Sequence, residues 1–147
     1  MNIFTFSPFG YEGAIVSVET DLRRGIPAVD IVGLADSSVA EARERMRCAI
    51  KNQGMDFPNE RVLIILSPAD LKKEGPGFDL PLALSVLHAS DTERTDKTVL
   101  IMGELELSGT VRCIRGVHAA VASALASGIT DCIVPMNNVK EASIPGM

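Results

Sequence analysis

The sequence predicts a mixed α/β fold with an antiparallel component, on three observations. Apolar runs of strand length alternate with segments whose apolar residues recur at helical spacing. The run Val62-Leu63-Ile64-Ile65-Leu66 is apolar throughout, as in a central strand. Ser108-Gly109 separates two strand-like stretches, Val99 to Leu105 and Val111 to Ile114, as a hairpin turn does. At 147 residues, 46% hydrophobic but only 4% aromatic, the chain is one domain with an aliphatic core.

The opening residues 2–6 and 13–20 read as strands. Ala14, Val16 and Val18 share one face, with Ser17 and Glu19 opposite. Asp21 to Gly25 forms a polar turn, and Ala28 to Val32 follows as a strand expected to pair antiparallel with the one before it. A helix comes next. Ser38 with Glu41 makes a capping box, and Val39, Ala42, Met46, Ala49 and Ile50 form one apolar stripe. Glu41 and Arg45 are an i,i+4 pair, and Gly54 terminates the helix.

After the apolar strand, a loop from Ser67 to Phe78 leads into an apolar helix from about Asp79 to Ala89, and Asp91 to Lys97 is a charged connection. A small-residue helix spans about Gly116 to Ser127, ending at Gly128. Cys132-Ile133-Val134 is a last short strand, and Pro135-Met136-Asn137-Asn138 opens a final helical turn. The end at Ile144-Pro145-Gly146-Met147 adds no closing element, so the chain is expected to be a piece of something longer.

Composition excludes several classes. A formal net charge of -5 argues against a dedicated nucleic-acid module, whose footprint is basic. Cys48, Cys113 and Cys132 contain no CxxC pair and read as core thiols in a reducing cytoplasm. His88 and His118 lack zinc-ligand spacing, so no metal site is expected. No segment approaches the roughly 20 apolar residues of a membrane span, and a membrane partner is not expected. There is no Gly-Lys dipeptide, hence no P-loop, and no bound cofactor is expected in this segment. Gly75-Pro76-Gly77 precedes a helix, but Pro76 removes a donor and Glu74 and Asp79 add negative charge, which disfavours a phosphate.

Nucleophilic chemistry is the remaining candidate. Lys72-Lys73-Glu74-Gly75-Pro76-Gly77-Phe78-Asp79-Leu80 resembles the Gly-Pro-Ser-Ala-Gly segment of Lon-type proteases. Gly103-Glu104-Leu105-Glu106-Leu107-Ser108-Gly109-Thr110-Val111 resembles the Lon hairpin, and Cys113-Ile114-Arg115-Gly116-Val117-His118 the stretch that supplies its lysine. Carried across position by position, the serine falls on Gly77 and the lysine on His118. A Ser–Lys dyad needs a hydroxyl and a desolvated amine, and these positions supply neither. Ser67 and Ser85 read as capping or packing hydroxyls rather than substitutes.

The departures from Lon follow another pattern. Asp70-Leu71-Lys72-Lys73-Glu74-Gly75 with Phe78-Asp79-Leu80-Pro81, and Val32-Gly33-Leu34 followed by Glu41-Ala42-Arg43, Arg45 and Arg47, are similar to the magnesium-chelatase-related AAA+ family of YifB and ComM. That resemblance covers nearly the whole chain and implies a ribosomal protein S5 domain 2-like fold, as in Lon. It also implies that residues 1–147 are the N-terminal Lon-like domain of a longer ATPase that uses ATP and Mg. Its partners would be its own AAA+ module and the neighbouring subunits of a ring, with DNA as a further one. The segment itself would be a non-catalytic assembly domain of a branch-migration helicase-like machine.

Two other readings stand beside this one: a nucleic-acid-binding module, and a divergent hydrolase using His118 as base. The basic positions bear on the first. Glu41 and Glu44 dilute the charge of Arg43, Arg45, Arg47 and Lys51, which read as a solvated face. Lys72, Lys73, Arg112 and Arg115, on loops and strand ends, are the candidate DNA or subunit contacts.

Overall fold

Alternation along each strand places a different core on each face of one sheet. The structure is a computed structural model describing residues 1–8, 13–91, 93 and 95–147. Its strands are β1 (Asn2–Ser7), β2 (Ala14–Arg23), β3 (Ala28–Val32), β4 (Arg61–Ser67), β5 (Thr98–Ile101), β6 (Glu104–Leu105), β7 (Val111–Arg112) and β8 (Cys132–Ile133). The helices are α1 (Ser37–Asn52), α2 (Asp79–Ala89), α3 (Val117–Ala126) and α4 (Val139–Ala142). Among the described residues, six strands form a mixed sheet in the order β3-β4-β2-β1-β5-β8, and β6 pairs with β7 as a separate hairpin.

On one face, Ile3, Val16, Val18, Val62, Ile64, Leu66, Val99 and Ile101 pack against α1 and α2. On the other, Phe6, Leu100 and Met102 pack against Val117, Ala120, Val121 and Ala124 of α3 and Ala142 of α4. Helical spacing with an almost wholly apolar composition makes α2 and α3 suitable for such cores. The mixed α/β class expected from the sequence is the one observed.

Three local expectations are corrected. β3 does not pair with β2 but lies parallel to β4, Ala28 beside Arg61 and Val32 beside Ile65. The reason is that β2 continues through the expected turn to Arg23. Its edges are then occupied by β4, from Ser17↔Ser67 to Arg23↔Arg61, and by β1. A parallel neighbour needs a long crossover, and α1 provides it. The second concerns the start of α1. Asp36 Oδ1 accepts from Val39 N at 2.8 Å and caps the helix, whereas Ser38 lies within the first turn. The third is β4, which is covered on one face only. Val62, Ile64 and Leu66 are buried, while Ile65 is 36% exposed because α3 and α4 cover the β1–β5–β8 half of that face.

The expected strand from Val99 to Leu105 is divided after Ile101. Gly103 N donates to Gly77 O and Leu80 N donates to Gly103 O, so the chain leaves the sheet to meet the loop before α2. This departure creates the site.

Candidate functional site

Two glycine-containing segments, Glu74–Phe78 and Arg112–Gly116, face each other across one end of the sheet. The first is fixed from both sides. Ser7 Oγ, fully buried at the end of β1, accepts from Glu74 N at 3.0 Å and donates to Lys72 O at 3.4 Å. Lys73 N and O bond to Leu34 O and Asp36 N, so the turn after β3 clasps the same loop. Gly33 in that turn has φ +122° and sits where a Cβ would lie 2.2 Å from Leu66 O, which only glycine permits.

Asp79 anchors the start of α2. Its carboxylate, with no exposed surface, accepts from Arg45 Nε at 2.8 Å, Arg45 Nη2 at 2.9 Å and Leu105 N at 3.0 Å. One side chain thereby ties α1, α2 and β6 together, and the hydrogen bond to Asp79 holds the Arg45 guanidinium above its ordinary pKa against the effect of burial. Sequence reasoning had Arg45 facing Glu41. That contact is 3.8 Å, and the shorter bond goes to Asp79. Two charged residues separated by 34 positions give no periodic signal.

The second segment is held by Asn138, which is buried. Its side-chain Oδ1 accepts from Ile114 N at 3.0 Å and its Nδ2 donates to Ile114 O at 2.9 Å. This amide clamp was not anticipated, since an Asn in a short polar run reads as a turn residue.

Between the segments lies a cavity of about 460 Å³, with Phe6, Pro8, Met102 and Ile114 as apolar lining and Glu74, Glu104, Cys113 and Arg115 as polar lining. Gly75, Pro76, Gly77 and Gly116 complete its walls. A second depression, of about 980 Å³, near Met1, Thr20 and His88 shares no lining residue with it. The smaller cavity matters here because it contains Gly77, and its size is typical of ligand pockets.

The predicted site residues are distributed as follows. Gly77 lines the cavity, with room for a Cβ 3.4 Å from Ile114 Cδ1. His118 is exposed on the first turn of α3 and is not part of the cavity wall, and among the described residues no hydroxyl is hydrogen-bonded to its ring. Ser85 Oγ is engaged with Thr20 Oγ1 at 2.6 Å, and Ser67 closes β4. Lys73 is fully buried with its Nζ donating to the Pro68 carbonyl, so it is removed from the exposed cations a phosphate would meet. Burial, opposed by Asp70, lowers its pKa. Lys72 is exposed, Arg112 lies 3.6 Å from Glu106, and Arg115 lines the cavity. The three cysteines are free thiols, and Cys113 is exposed at the cavity rather than in the core, because the Asn138 clamp turns Ile114 inward instead. Among the described residues no group of three or more His, Cys, Asp or Glu is placed to hold a metal, and no helix is long and apolar enough to cross a membrane.

Comparison with known proteins places this arrangement. Residues 18–138 match the family model described as subunit ChlI of Mg-chelatase. An uncharacterized protein of Mycobacterium tuberculosis is 42% identical over 96% of this chain. YifB of Escherichia coli and competence protein ComM of Haemophilus influenzae are each 35% identical over 97% of it. In all three the chain spans 28% of the relative's length. Lon protease 2 of Herpetosiphon aurantiacus is more distant, 26% identical over 88% of the chain and 17% of its own length. With the mixed sheet observed, the Lon relationship accords with the expected ribosomal protein S5 domain 2-like fold.

Proposed function

We propose, since this chain belongs to the family of the ChlI subunit of Mg-chelatase together with YifB- and ComM-like proteins, that it is a non-catalytic interaction domain of an AAA+ ATPase. Residues 1–147 would form the N-terminal Lon-like domain of that parent. The parent would use ATP and Mg, and would assemble as a ring that remodels DNA by branch migration. The domain's partners would be its own ATPase module and neighbouring subunits.

One observation carries the inert reading. The cavity that corresponds to the Lon nucleophile position holds Gly77, which has no side chain, while His118 at the lysine position lies outside it. A hydrolase of this type needs a hydroxyl and a base within hydrogen-bond reach of each other. Kept after losing both, the same walls serve as a recognition surface, since a fold does not by itself fix an activity. The nucleic-acid-module reading is weakened by the burial of Lys73, which leaves Lys72, Arg112 and Arg115 as the accessible members of the candidate set, Arg112 with Glu106 3.6 Å away.

The purified chain is expected to hydrolyse neither casein nor an activated ester above the buffer rate. Turnover that disappears in His118→Ala would overturn the reading. The longer reading frame is expected to contain a GxxxxGK[ST] segment, and its absence would remove the ATPase parent.

A further inference from the structure

The depression of about 980 Å³ lies where β1 stops short of β2. β1 pairs with β2 only from Ile3↔Val18 to Ser7↔Ala14, whereas β2 runs on beside β4 to Arg23. At Met1 the chain leaves the line of β1: the Met1 nitrogen lies 3.1 Å from His88 Nε2 and donates to Thr95 O. Residues Thr20 to Arg23 therefore have no neighbouring strand on the β1 side among the described residues. At about 3.3 Å per residue, the gap takes a strand of about four residues.

Two contacts fix the backbone direction along this edge. Asn2 N donates to Lys97 O on the β5 side, so the next residue, Ile3, directs its N–H and C=O to β2, opposite Val18. On the far side of β2, Leu66 O lies closest to the Cβ position of Gly33, so Leu66 turns toward β3 and away from Val18, its opposite residue. Val18 thus points at β1. Alternation turns Thr20 and Leu22 the same way, into the depression that both of them line. Among the described residues no strand faces these N–H and C=O groups and no loop bonds to them. The Thr20 side chain meets Ser85 of α2 at 2.6 Å, which holds the edge in place. An unpaired strand edge of this kind captures an extended peptide as an added strand.

Charge selects among extended segments. Glu19, Asp21 and Asp96 line the depression, and no lysine or arginine does. Arg23, outside the lining, joins Asp21 at 2.7 Å, while Glu19 and Asp96 are exposed and form no ion pair among the described residues. Opposite residues of an antiparallel pair share a face. A residue opposite Asp21 would stand on the face that carries Glu19, and one opposite Leu22 on the face packed by α2. We infer that this depression is a docking site for an extended, basic polypeptide segment, which runs antiparallel to β2, bonds to Thr20 and Leu22, and sets a lysine or arginine beside Glu19. The site shares no residue with the Gly77 cavity and goes beyond the role proposed above for the domain.

The isotope-labelled chain, titrated with the blocked peptide acetyl-Val-Lys-Val-Lys-Val-amide, tests this. Saturable amide shifts are expected at Thr20, Leu22 and His88, with the peptide carrying Glu in place of Lys at least about threefold weaker. In the paired strand the valine amides face β2 and the lysine amides face away. N-methylation of the valine amides should weaken binding at least about tenfold, and N-methylation of the lysine amides by less than about threefold. Glu19→Gln with Asp96→Asn, first shown to keep a dispersed native spectrum, should erase the charge preference and leave the N-methyl pattern. No shifts up to about 10 mM peptide would overturn the inference. So would equal affinity for the two N-methylated peptides, equal affinity for the Lys and Glu peptides, or a Lys preference that survives in the variant. Each of these failures leaves the inert-domain reading intact, since the hydrolysis assay alone decides that.

Discussion

Asp79 accepts three hydrogen bonds with no exposed surface, from two nitrogens of Arg45 and from Leu105 N. Removing one partner of such a pair leaves the other charge without compensation, which costs more than the pair contributes. Asp79→Ala is expected to lower stability by about 3 kcal/mol in urea denaturation, whereas Glu41→Ala, losing a mostly exposed contact, should cost under about 0.5 kcal/mol. Lys73 is the converse case, a buried amine whose pKa burial lowers. The folded state then binds fewer protons than the unfolded state between the lowered value and the ordinary value near about 10.4, so stability rises with pH across that window. The burial penalty on the charged amine is largest below that window. The stability of the wild-type chain relative to Lys73→Met is therefore expected to increase from pH 8 to pH 10.5, measured as the difference in urea midpoints. A constant difference would show that the amine is not desolvated. Neither residue was legible as structural from the sequence. Lys73 read as a surface cation because lysine almost never lies fully buried, and Asp79 as a helix-start charge because its partner is remote.

At the scale of elements, β4 shows how a correct assignment can carry a wrong environment. Its unbroken apolar run marked it as a strand, and it is one, but only alternate residues meet α1 and α2. Ile64→Ala is expected to cost 2–5 kcal/mol by the usual scale for a buried isoleucine, and Ile65→Ala under about 1 kcal/mol. Comparable losses from thermal unfolding of the two variants would mean that the outer face of β4 is covered. The helices were readable to within a residue or two because their apolar stripes repeat at fixed spacing. Strand partners were not, because pairing is decided by which edges other strands have taken. The extension of β2 through its expected turn redirected β3 to β4. The site divides along the same line. The Gly-Pro-Gly and hairpin motifs were visible as local patterns, whereas the Asn138 clamp, the Ser7 brace and the exposure of Cys113 depend on contacts made by remote segments.

Across the whole molecule, the two cores give the two ends of the sheet different surroundings. The β1–β5 half is enclosed on both faces, and the Gly77 cavity opens at its end. The β3–β4 half keeps one face bare, where Val32 and Ile65 lie side by side, 51% and 36% exposed. Rigid elements thus hold the cavity walls. Gly77 itself has a backbone any residue could adopt, and a Cβ there would meet Ile114 Cδ1 at 3.4 Å and Met102 Cε at 3.9 Å, ordinary contact distances. The Gly77 position thus differs from a serine-bearing one by a side chain and not by the backbone around it. A serine placed there would set a hydroxyl in the cavity while the His118 imidazole stays turned to the outside, away from it.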